Sequence, residues 1–349
     1  MFLYESMLNF ETYQILWCQN VLQPFESILW FFSVFTNMAT VYSHVFPLLY
    51  LYSPEFYVRT LLTSIGSNML MTLLKWILSE GRPYWYVFSM QNGPVLRQTD
   101  ITCETSPGNP SGHVLFQAAF LYVVITELMT QLHKKHMLTK KSSNILGWII
   151  YLCLINMVAL SRMYFACHFF HQCLLGAILG HFIARYMIRN TTTMDTVYSY
   201  SKSQMLAIGI IVAIAAIGIF FGQKLFGRDP LWSIKIAFNR CENPLFLRPD
   251  STPVSAIVRD LGLFAGVILS APLKSRFENS SHWLIKFCLA VITIIAYHAA
   301  VSIMPHNRGV LIYYCYSFII QLFSVFVLLN YDSVWQYVSR RCESKLKLN

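Results

Sequence analysis

Charged side chains are scarce in this sequence. Asp, Glu, Lys and Arg together make up 12% of its 349 residues, whereas soluble domains typically carry about 25%. This deficit excludes an ordinary soluble globular protein. Acidic residues are the rarest, with 16 Asp and Glu against 26 Lys and Arg, for a formal net charge of +10. The basic residues lie in loops between apolar runs, as in membrane proteins, which argues against a nucleic-acid partner.

Metal-ligand spacing is also lacking. The nine cysteines match neither a metal site nor a small secreted disulfide framework, and we expect no metal ion and no other cofactor. Cys103 and Cys241 fall in loops that we place on one side of the membrane, so a disulfide between them is compatible with the sequence. Residues 1–23 contain Glu5 and Glu11 and lack a basic start, which favours an interfacial helix over a cleaved signal peptide.

Long apolar runs, by contrast, recur along the whole chain, which is 56% hydrophobic. A helix needs about 20 mainly apolar residues to cross a bilayer. We therefore predict an all-α fold, a polytopic membrane bundle of about nine transmembrane helices that forms one integral-membrane domain over residues 1–349. The predicted spans centre on Phe25 to Leu49, Phe56 to Leu78, Gly112 to Leu132, Ile145 to Leu160, Gln172 to Ile188, Met205 to Phe226, Val254 to Leu269, Leu284 to Met304 and Leu311 to Leu329.

The loops between these spans form two sets that alternate along the chain. One set, which includes residues 133–141, is rich in Lys and Arg and should face the cytosol. With nine spans, the N-terminus is then lumenal and the C-terminus cytosolic. The sequons at Asn190 and Asn279 fall in basic loops, so we predict that neither is glycosylated. The loops of mixed charge, which should be lumenal or extracellular, are residues 80–109, 161–171 and 227–253.

Three short motifs combine fixed cations with histidines or a glycine turn. The first contains Lys75 and Arg82-Pro83, the second is Pro110-Ser111-Gly112-His113, and the third is Ser161-Arg162 followed by His168. The first lies at the end of the second span, the second opens the third span, and the third lies between the fourth and fifth spans. All three must therefore emerge on one face of the membrane, where they can share one pocket.

These residues suit the binding of a phosphate group. Arg82 and Arg162 offer planar forks that match phosphate oxygens bidentately. Lys75 precedes Arg82 by one heptad, so both can project from one helix face. Ser111 and Gly112 should place backbone N–H groups at a helix N-terminus, which is a ready anion site.

Two histidines suit a two-step transfer of that group. One attacks phosphorus and forms a phosphohistidine, while the other protonates the leaving alcohol. Water then takes the phosphoryl group. The residues alone leave open whether His113 or His168 is the nucleophile.

The three motifs resemble those of the type 2 phosphatidic acid phosphatase and vanadium haloperoxidase superfamily, whose pattern is K-x6-R-P, P-S-G-H and S-R-x5-H. More closely, the chain resembles glucose-6-phosphatase catalytic subunits over nearly its whole length, including Cys241-Glu-Asn-Pro and Asp250-Ser-Thr-Pro. We accordingly expect a catalytic core at about residues 56–190, additional spans over residues 205–332 and a cytosolic tail at residues 333–349.

The resemblance also implies a role for each motif residue. His168 matches the nucleophile, and His113 matches the acid that protonates the sugar oxygen. The residues that match the phosphate cradle are Lys75, Arg82, Ser111, Gly112 and Arg162.

One position departs from the wider superfamily. Its lipid and haloperoxidase members usually have Asp four residues after the nucleophile, where this chain has Gln172. Glucose-6-phosphatases share this Gln. It can hydrogen-bond to an imidazole but cannot neutralise an imidazolium. The sequence leaves open whether His171 or Gln172 orients His168.

The resemblance implies a multi-pass enzyme of the endoplasmic-reticulum membrane that hydrolyses glucose 6-phosphate in the lumen, a step of gluconeogenesis. A lumenal site implies functional coupling to a glucose-6-phosphate transporter, with membrane lipid around the chain. Lys345 and Lys347 either resemble a dilysine retrieval signal or add ordinary positive-inside charge. One alternative is a membrane lipid-phosphate phosphatase, although such enzymes usually have six spans. The other is a non-enzymatic transporter, against which the complete motifs and few intramembrane carboxylates argue.

Overall fold

The structure is a computed structural model that describes residues 2–90, 93–276, 283–305 and 308–346. Over these residues the chain is helical, and the single β-type pairing there is an isolated bridge between Glu104 and Arg248. The predicted all-α class is therefore confirmed. The described helices are α1 (Phe2–Val21), α2 (Glu26–Phe35), α3 (Met38–Thr40), α4 (Phe46–Tyr52), α5 (Pro54–Leu78), α6 (Pro83–Tyr86), α7 (Gly112–Lys134), α8 (Lys140–Tyr164), α9 (Phe170–Arg189), α10 (Thr191–Ser199), α11 (Lys202–Leu225), α12 (Trp232–Arg240), α13 (Pro253–Ser270), α14 (Trp283–Ser302) and α15 (Val310–Leu346).

Proline and capping residues set several helix boundaries. Pro54, Pro83 and Pro253 are the first residues of α5, α6 and α13, a position where the missing N–H had no partner within the helix. Thr139 caps α8 by accepting a hydrogen bond from the backbone N–H of Ser142 at 3.1 Å. Pro83 matters most for function, because the residue before it has an extended backbone and so lies outside the helix.

Six helical stretches in the described part of the chain are long and apolar enough to cross a membrane. They correspond to six of the predicted spans. The first predicted span is instead divided among α2, α3 and α4, the fifth falls on α9, which is not among the six, and the eighth contains a shorter apolar helix, Lys286–Ser302. The total of nine spans therefore stays a prediction. The six stretches are Pro54–Ser89, Gly112–Lys134, Lys140–Tyr164, Lys202–Leu225, Pro253–Ser270 and Val310–Asn330.

The first of two compact units is built on the pair α7 and α9. Gly180 permits their close approach, because a Cβ at this position would collide with the Leu115 carbonyl oxygen and lie 2.8 Å from the Cβ of Ala118. Helix α8 packs on both of these helices, and α1 and α2 pack on α8. This unit contains all of the predicted site residues. It comprises Met1–Met38, Gly66–Arg189 and Ala215–Ile257.

The second compact unit comprises Ala39–Ile65, Asn190–Ile214 and Val258–Asn349. Within it, α14 packs on α4, and Asn330 donates a hydrogen bond to the hydroxyl of Ser270 at 2.8 Å. Two predicted features fall outside the described residues: the sequon at Asn279 and the last residues of the basic tail, 347–349.

Candidate active site

The predicted site residues lie at the ends of five helices, and the structure brings them together. All of them are buried, which is unusual for charged side chains unless they are paired. Lys75 lies in the last turn of α5, Arg82 directly before α6, Ser111, Gly112 and His113 at the start of α7, Arg162 in the last turn of α8, and His168 in the loop before α9.

A carboxylate lies at the centre of this group. Oε2 of Glu104 is 2.8 Å from Nη2 of Arg82, and Oε1 pairs with Nη2 of Arg162. Nε2 of His168 lies 3.9 Å from Oε2, and Nδ1 of His113 lies 3.9 Å from Oε1. The two imidazoles therefore face different oxygens of one carboxylate that both guanidinium groups hold. This is a site for a small oxyanion with an imidazole near each end.

The Arg82 side chain is held by the loops on both sides of it. Nε donates to the carbonyl of Ser106 at 2.6 Å, Nη2 donates to the hydroxyl of Ser106 at 2.9 Å, and Nη1 donates to the carbonyl of Cys167 at 2.9 Å. Three fixed acceptors leave the guanidinium little freedom. The guanidinium also contacts the carbonyl of Pro107 at 3.3 Å, the carboxylate of Glu104 and Nε2 of His168 at 3.3 Å.

The two other cations are anchored less completely. Nη1 of Arg162 donates to the hydroxyl of Ser33 at 2.6 Å, while its buried Nε finds no acceptor among the residues that the structure describes. Nζ of Lys75 donates to the carbonyl of Pro107 at 2.6 Å and to the hydroxyl of Ser106 at 3.3 Å. A buried donor with no partner is unfavourable, so the Arg162 Nε–H is suited to a further oxygen atom of a bound anion.

Gln172 determines the tautomer of His168. Nε2 of Gln172 donates to the carbonyl of Gly81 at 2.8 Å, which turns Oε1 toward the N–H of Phe169 and Nδ1 of His168, each 3.3 Å away. Oε1 can only accept, so Nδ1 carries the proton. Arg82 can only donate, so Nε2 beside it keeps its lone pair. The lone pair therefore faces the anion site, and Gln172 rather than His171 contacts the ring.

Burial and neighbouring charges set the ionisation of the two central groups. Burial alone would raise the pKa of Glu104, but the guanidinium groups of Arg162 and Arg82 hold this pKa well below its usual range. Burial lowers the pKa of His168 well below its ordinary value, and the charges of Arg82 and Lys75 lower it further. Glu104 is therefore ionised and His168 neutral at physiological pH. A neutral imidazole is the form that can attack phosphorus.

Close backbone contacts surround Gln172. A Cβ at Gly108 would lie 2.5 Å from the carbonyl oxygen of Gly81 and 2.7 Å from Oε1 of Gln172, so only glycine fits here. The N–H of Gly108 donates to the carbonyl of Glu80 at 2.7 Å, and the N–H of Ser111 donates to the carbonyl of Gln172 at 3.0 Å. The Ser111 donor that we predicted for phosphate is thus engaged by Gln172 of α9, and it ties the start of α7 to the start of α9.

A loop from much later in the chain supports the central carboxylate. Cys103 and Cys241 form a disulfide, which the sequence allowed. The N–H of Arg248 donates to the carbonyl of Cys103 at 3.1 Å, and the N–H of Thr105 donates to the hydroxyl of Ser251 at 2.9 Å. The residues before and after Glu104 are therefore both fixed by residues 241–251.

Sequence reasoning missed Glu104 as a site residue, and it missed the surroundings of His171. Nδ1 of His171 faces Glu11 and Nε2 faces Glu80. Glu11 and His171 are 160 residues apart, and no local pattern connects them. For Glu104 a signal existed: it is an acidic residue in a loop that the span order places on the same side as the three cationic motifs.

Comparison with known proteins extends these observations. Residues 56–194 match the PAP2 superfamily. The chain is 28% identical to Glucose-6-phosphatase catalytic subunit 1 of Bos taurus over 303 residues, which cover 83% of this chain and 84% of that protein. It is 29% identical to Glucose-6-phosphatase catalytic subunit 1 of Mus musculus with the same coverage. It is 27% identical to Glucose-6-phosphatase 2 of Homo sapiens over 265 residues, which cover 72% and 74% of the two chains. No solved structure matches the chain.

The fold and the site first define a class. Helix ends deliver paired arginines and paired histidines to one site, and residues 56–194, which contain all of them, match the PAP2 superfamily, so this segment is a domain of that superfamily. The similarity over more than four-fifths of the chain is more specific. Over that length the chain is similar to glucose-6-phosphatase catalytic subunits.

Proposed function

We propose that this protein hydrolyses glucose 6-phosphate to glucose and phosphate through a phosphohistidine intermediate. Its curated relatives are glucose-6-phosphatases by name. The proposed phosphate binding is supported chiefly by the position of Glu104, whose carboxylate bridges Arg82 and Arg162 between two histidines. A carboxylate and a phosphate both present oxygens that match guanidinium forks, so the carboxylate marks where the phosphate binds. The substrate phosphate displaces it there.

His168 is the proposed nucleophile. Its Nε2 lone pair faces the anion site, and Gln172 holds the proton on the other nitrogen. The Nε2–P bond forms as the bond between phosphorus and the sugar oxygen breaks. His113, on the other side of the site, enters this step as the imidazolium beside the phosphate dianion of the substrate and donates its proton to that oxygen. In the second step water attacks phosphorus, His113 takes the proton of the water, and the N–P bond breaks.

The cations stabilise the negative charge on the transferring group. Arg82 and Arg162 supply forks that are already oriented by the protein, so little reorganisation is needed as charge develops. Lys75 adds a donor from the last turn of α5. At the start of α7 the N–H of Ser111 is bonded to the carbonyl of Gln172, so Gly112 is the proposed backbone donor to the anion there. Removal of one such donor typically costs about 10²- to 10³-fold in rate.

We further propose nine membrane spans, with the N-terminus in the lumen of the endoplasmic reticulum and the C-terminus in the cytosol. The catalytic core is then about residues 56–190, followed by spans over residues 205–332 and the tail at 333–349. The disulfide between Cys103 and Cys241 supports an oxidising compartment for the site. A lumenal site requires delivery of a cytosolic sugar phosphate, so a glucose-6-phosphate transporter is the functional partner.

A latency assay tests the reaction, the substrate and the sidedness together. Microsomes that contain the protein should hydrolyse glucose 6-phosphate faster after detergent opens them than when they are intact. His168→Ala should abolish hydrolysis and the trapping of labelled phosphate on the protein. His133→Ala, which changes a histidine in the last turn of α7, is the matched control and should retain both. A normal rate in His168→Ala would contradict the mechanism, and equal rates in intact and opened vesicles would contradict the topology.

A further inference from the structure

A second charged cluster lies beside the active site, within the same compact unit. Nδ1 of His171 is 2.7 Å from Oε2 of Glu11, and Nε2 is 2.8 Å from Oε1 of Glu80. The backbone N–H of His171 also donates to Oε1 of Glu11 at 3.2 Å, and the hydroxyl of Tyr4 donates to Glu80. The cluster therefore joins α1, the segment after α5 and the first turn of α9.

This cluster is adjacent in sequence to the groups that orient the nucleophile. Glu80 precedes Gly81, whose carbonyl accepts the hydrogen bond of Gln172 at 2.8 Å. His171 precedes Gln172, whose Oε1 faces Nδ1 of His168. Two links thus join the segment after α5 to the start of α9. The outer link is the contact between the side chains of Glu80 and His171. The inner link is the hydrogen bond from Gln172 to the carbonyl of Gly81, which holds the amide against His168. Movement of the outer link displaces the inner one.

The outer link depends on a proton. Both ring nitrogens of His171 face carboxylate oxygens, which can only accept, so the ring carries two protons and a positive charge. Burial alone would lower the pKa of His171, but the hydrogen bonds to Glu11 and Glu80 raise it to about 9. The stabilisation is therefore complete below the ordinary histidine pKa and is lost as the pH rises through about 9.

Solvent reaches this cluster through a cavity of about 650 Å³. The groups that face His171 are Glu11 and Tyr4 from α1 and Glu80 from the segment after α5. Glu5 and Tyr86 line the same cavity. The ring can therefore exchange its proton with water without opening the catalytic pocket.

We propose that Glu11, His171 and Glu80 form a positioning device for the nucleophile, and that loss of the His171 proton releases it. His171 acts through Gly81 and Gln172, so it is a positioning residue rather than a catalytic one. The inference rests on the proposed phosphohistidine chemistry, but it does not depend on which sugar is bound.

The test compares the purified full-length protein with Glu11→Gln and His171→Gln. Glu5→Gln, which changes another carboxylate of α1, is the matched control. For each protein, kcat for glucose 6-phosphate is measured from about pH 6 to about pH 10, together with the inhibition constant of inorganic phosphate. Phosphate binds without a bond to His168, so its affinity reports on the cradle of Arg82 and Arg162.

The wild type and Glu5→Gln should lose kcat as the pH passes through about 9. Glu11→Gln should lose it at a lower pH, because one carboxylate no longer raises the pKa of His171. His171→Gln should have a kcat roughly 10- to 100-fold below the wild type, without this alkaline limb. The inhibition constant of phosphate should stay near the wild-type value in both variants.

An unchanged alkaline limb in Glu11→Gln would overturn the proposal. A loss of phosphate affinity in step with the loss of kcat would also overturn it, because this would indicate a general loss of structure. If His171→Gln does not fold, the pH profile of Glu11→Gln decides alone. A wild type that does not hydrolyse glucose 6-phosphate overturns the proposed function instead, and that result is distinct from a failure of the positioning role.

Discussion

Glu104→Gln gives the sharpest test of the anion site. The substitution keeps the shape of the side chain and removes the charge between Arg82 and Arg162. In the wild type, phosphate must displace a carboxylate whose pKa burial would raise but these two arginines hold low. In the variant it displaces only a neutral amide. We therefore expect Glu104→Gln to bind inorganic phosphate more tightly than the wild type.

The size of the effect follows from the two ion pairs that the substitution removes. A hydrogen bond to a charged group contributes about 1.5–3 kcal/mol, and an amide retains part of this. A net difference of roughly 3 kcal/mol corresponds to about a 100-fold gain in phosphate affinity, since 1.4 kcal/mol is a factor of ten. The unliganded variant should also be less stable by about 3–5 kcal/mol, because two buried cations no longer have a charged partner.

Thermal unfolding at increasing phosphate concentrations measures both quantities. Glu104→Gln should melt below the wild type without phosphate and should gain more from each addition, since a bound ligand stabilises in proportion to the logarithm of its saturation. The control is Glu242→Gln, which changes an exposed carboxylate in the loop after the Cys241 bridge and should behave as the wild type. Equal or weaker phosphate affinity in Glu104→Gln would refute the reasoning, because Glu104 would then assist the anion rather than compete with it.

Further predictions concern the surroundings of this site. Without phosphate, the melting temperature should fall as the pH drops below the ordinary glutamate pKa of about 4.3 toward the lower pKa of Glu104 in the folded protein, because the unfolded chain then binds more protons. Glu104→Gln should lack this acid-side loss in a pH series of melting curves. Replacing Cys103 and Cys241 by Ser opens a link across 138 residues, and denaturant titration should show about 4–5 kcal/mol less stability. Gly108→Ala should lower kcat by about 100-fold because it displaces the amide that orients the proposed nucleophile, with the inhibition constant of phosphate unchanged. Arg162→Lys should weaken vanadate inhibition by about tenfold, because a lysine cannot replace the guanidinium fork.

The sequence singled out residues that the structure brings together, but it did not indicate what surrounds them. Span order placed Arg82, His113, Arg162 and His168 on one side of the membrane, because helices that cross a bilayer alternate in direction. The same reasoning placed Cys103 and Cys241 in loops of one side, and the disulfide confirms that they meet. The alternation of spans determines on which side of the membrane a residue lies, but not which residues touch. It could therefore not show that a carboxylate lies among these cations.

The fold was less predictable where the helices are irregular. The region from Phe25 to Leu49 is apolar throughout, which suggested one span, yet α2 ends at Phe35 and the next helical stretch begins at Met38. Hydropathy measures composition and not the path of the backbone, so it could not show this break. Likewise, the orientation of the Gln172 amide depends on its hydrogen bond to the backbone carbonyl of Gly81, 91 residues away. Every residue has a backbone carbonyl, so the sequence does not indicate which one is used.

The bridge between Glu104 and Arg248 bears on the order in which the protein matures. All three motifs have left the ribosome soon after residue 168 is made, but the residues that fix both sides of Glu104 lie at positions 241–251. A nascent chain that already contains every proposed catalytic side chain therefore lacks residues 241–251, which hold both neighbours of Glu104 in place. Activity should arise as a late event in biosynthesis, and a chain that stops after the matched segment, at residue 194, should be inactive even though no motif is missing.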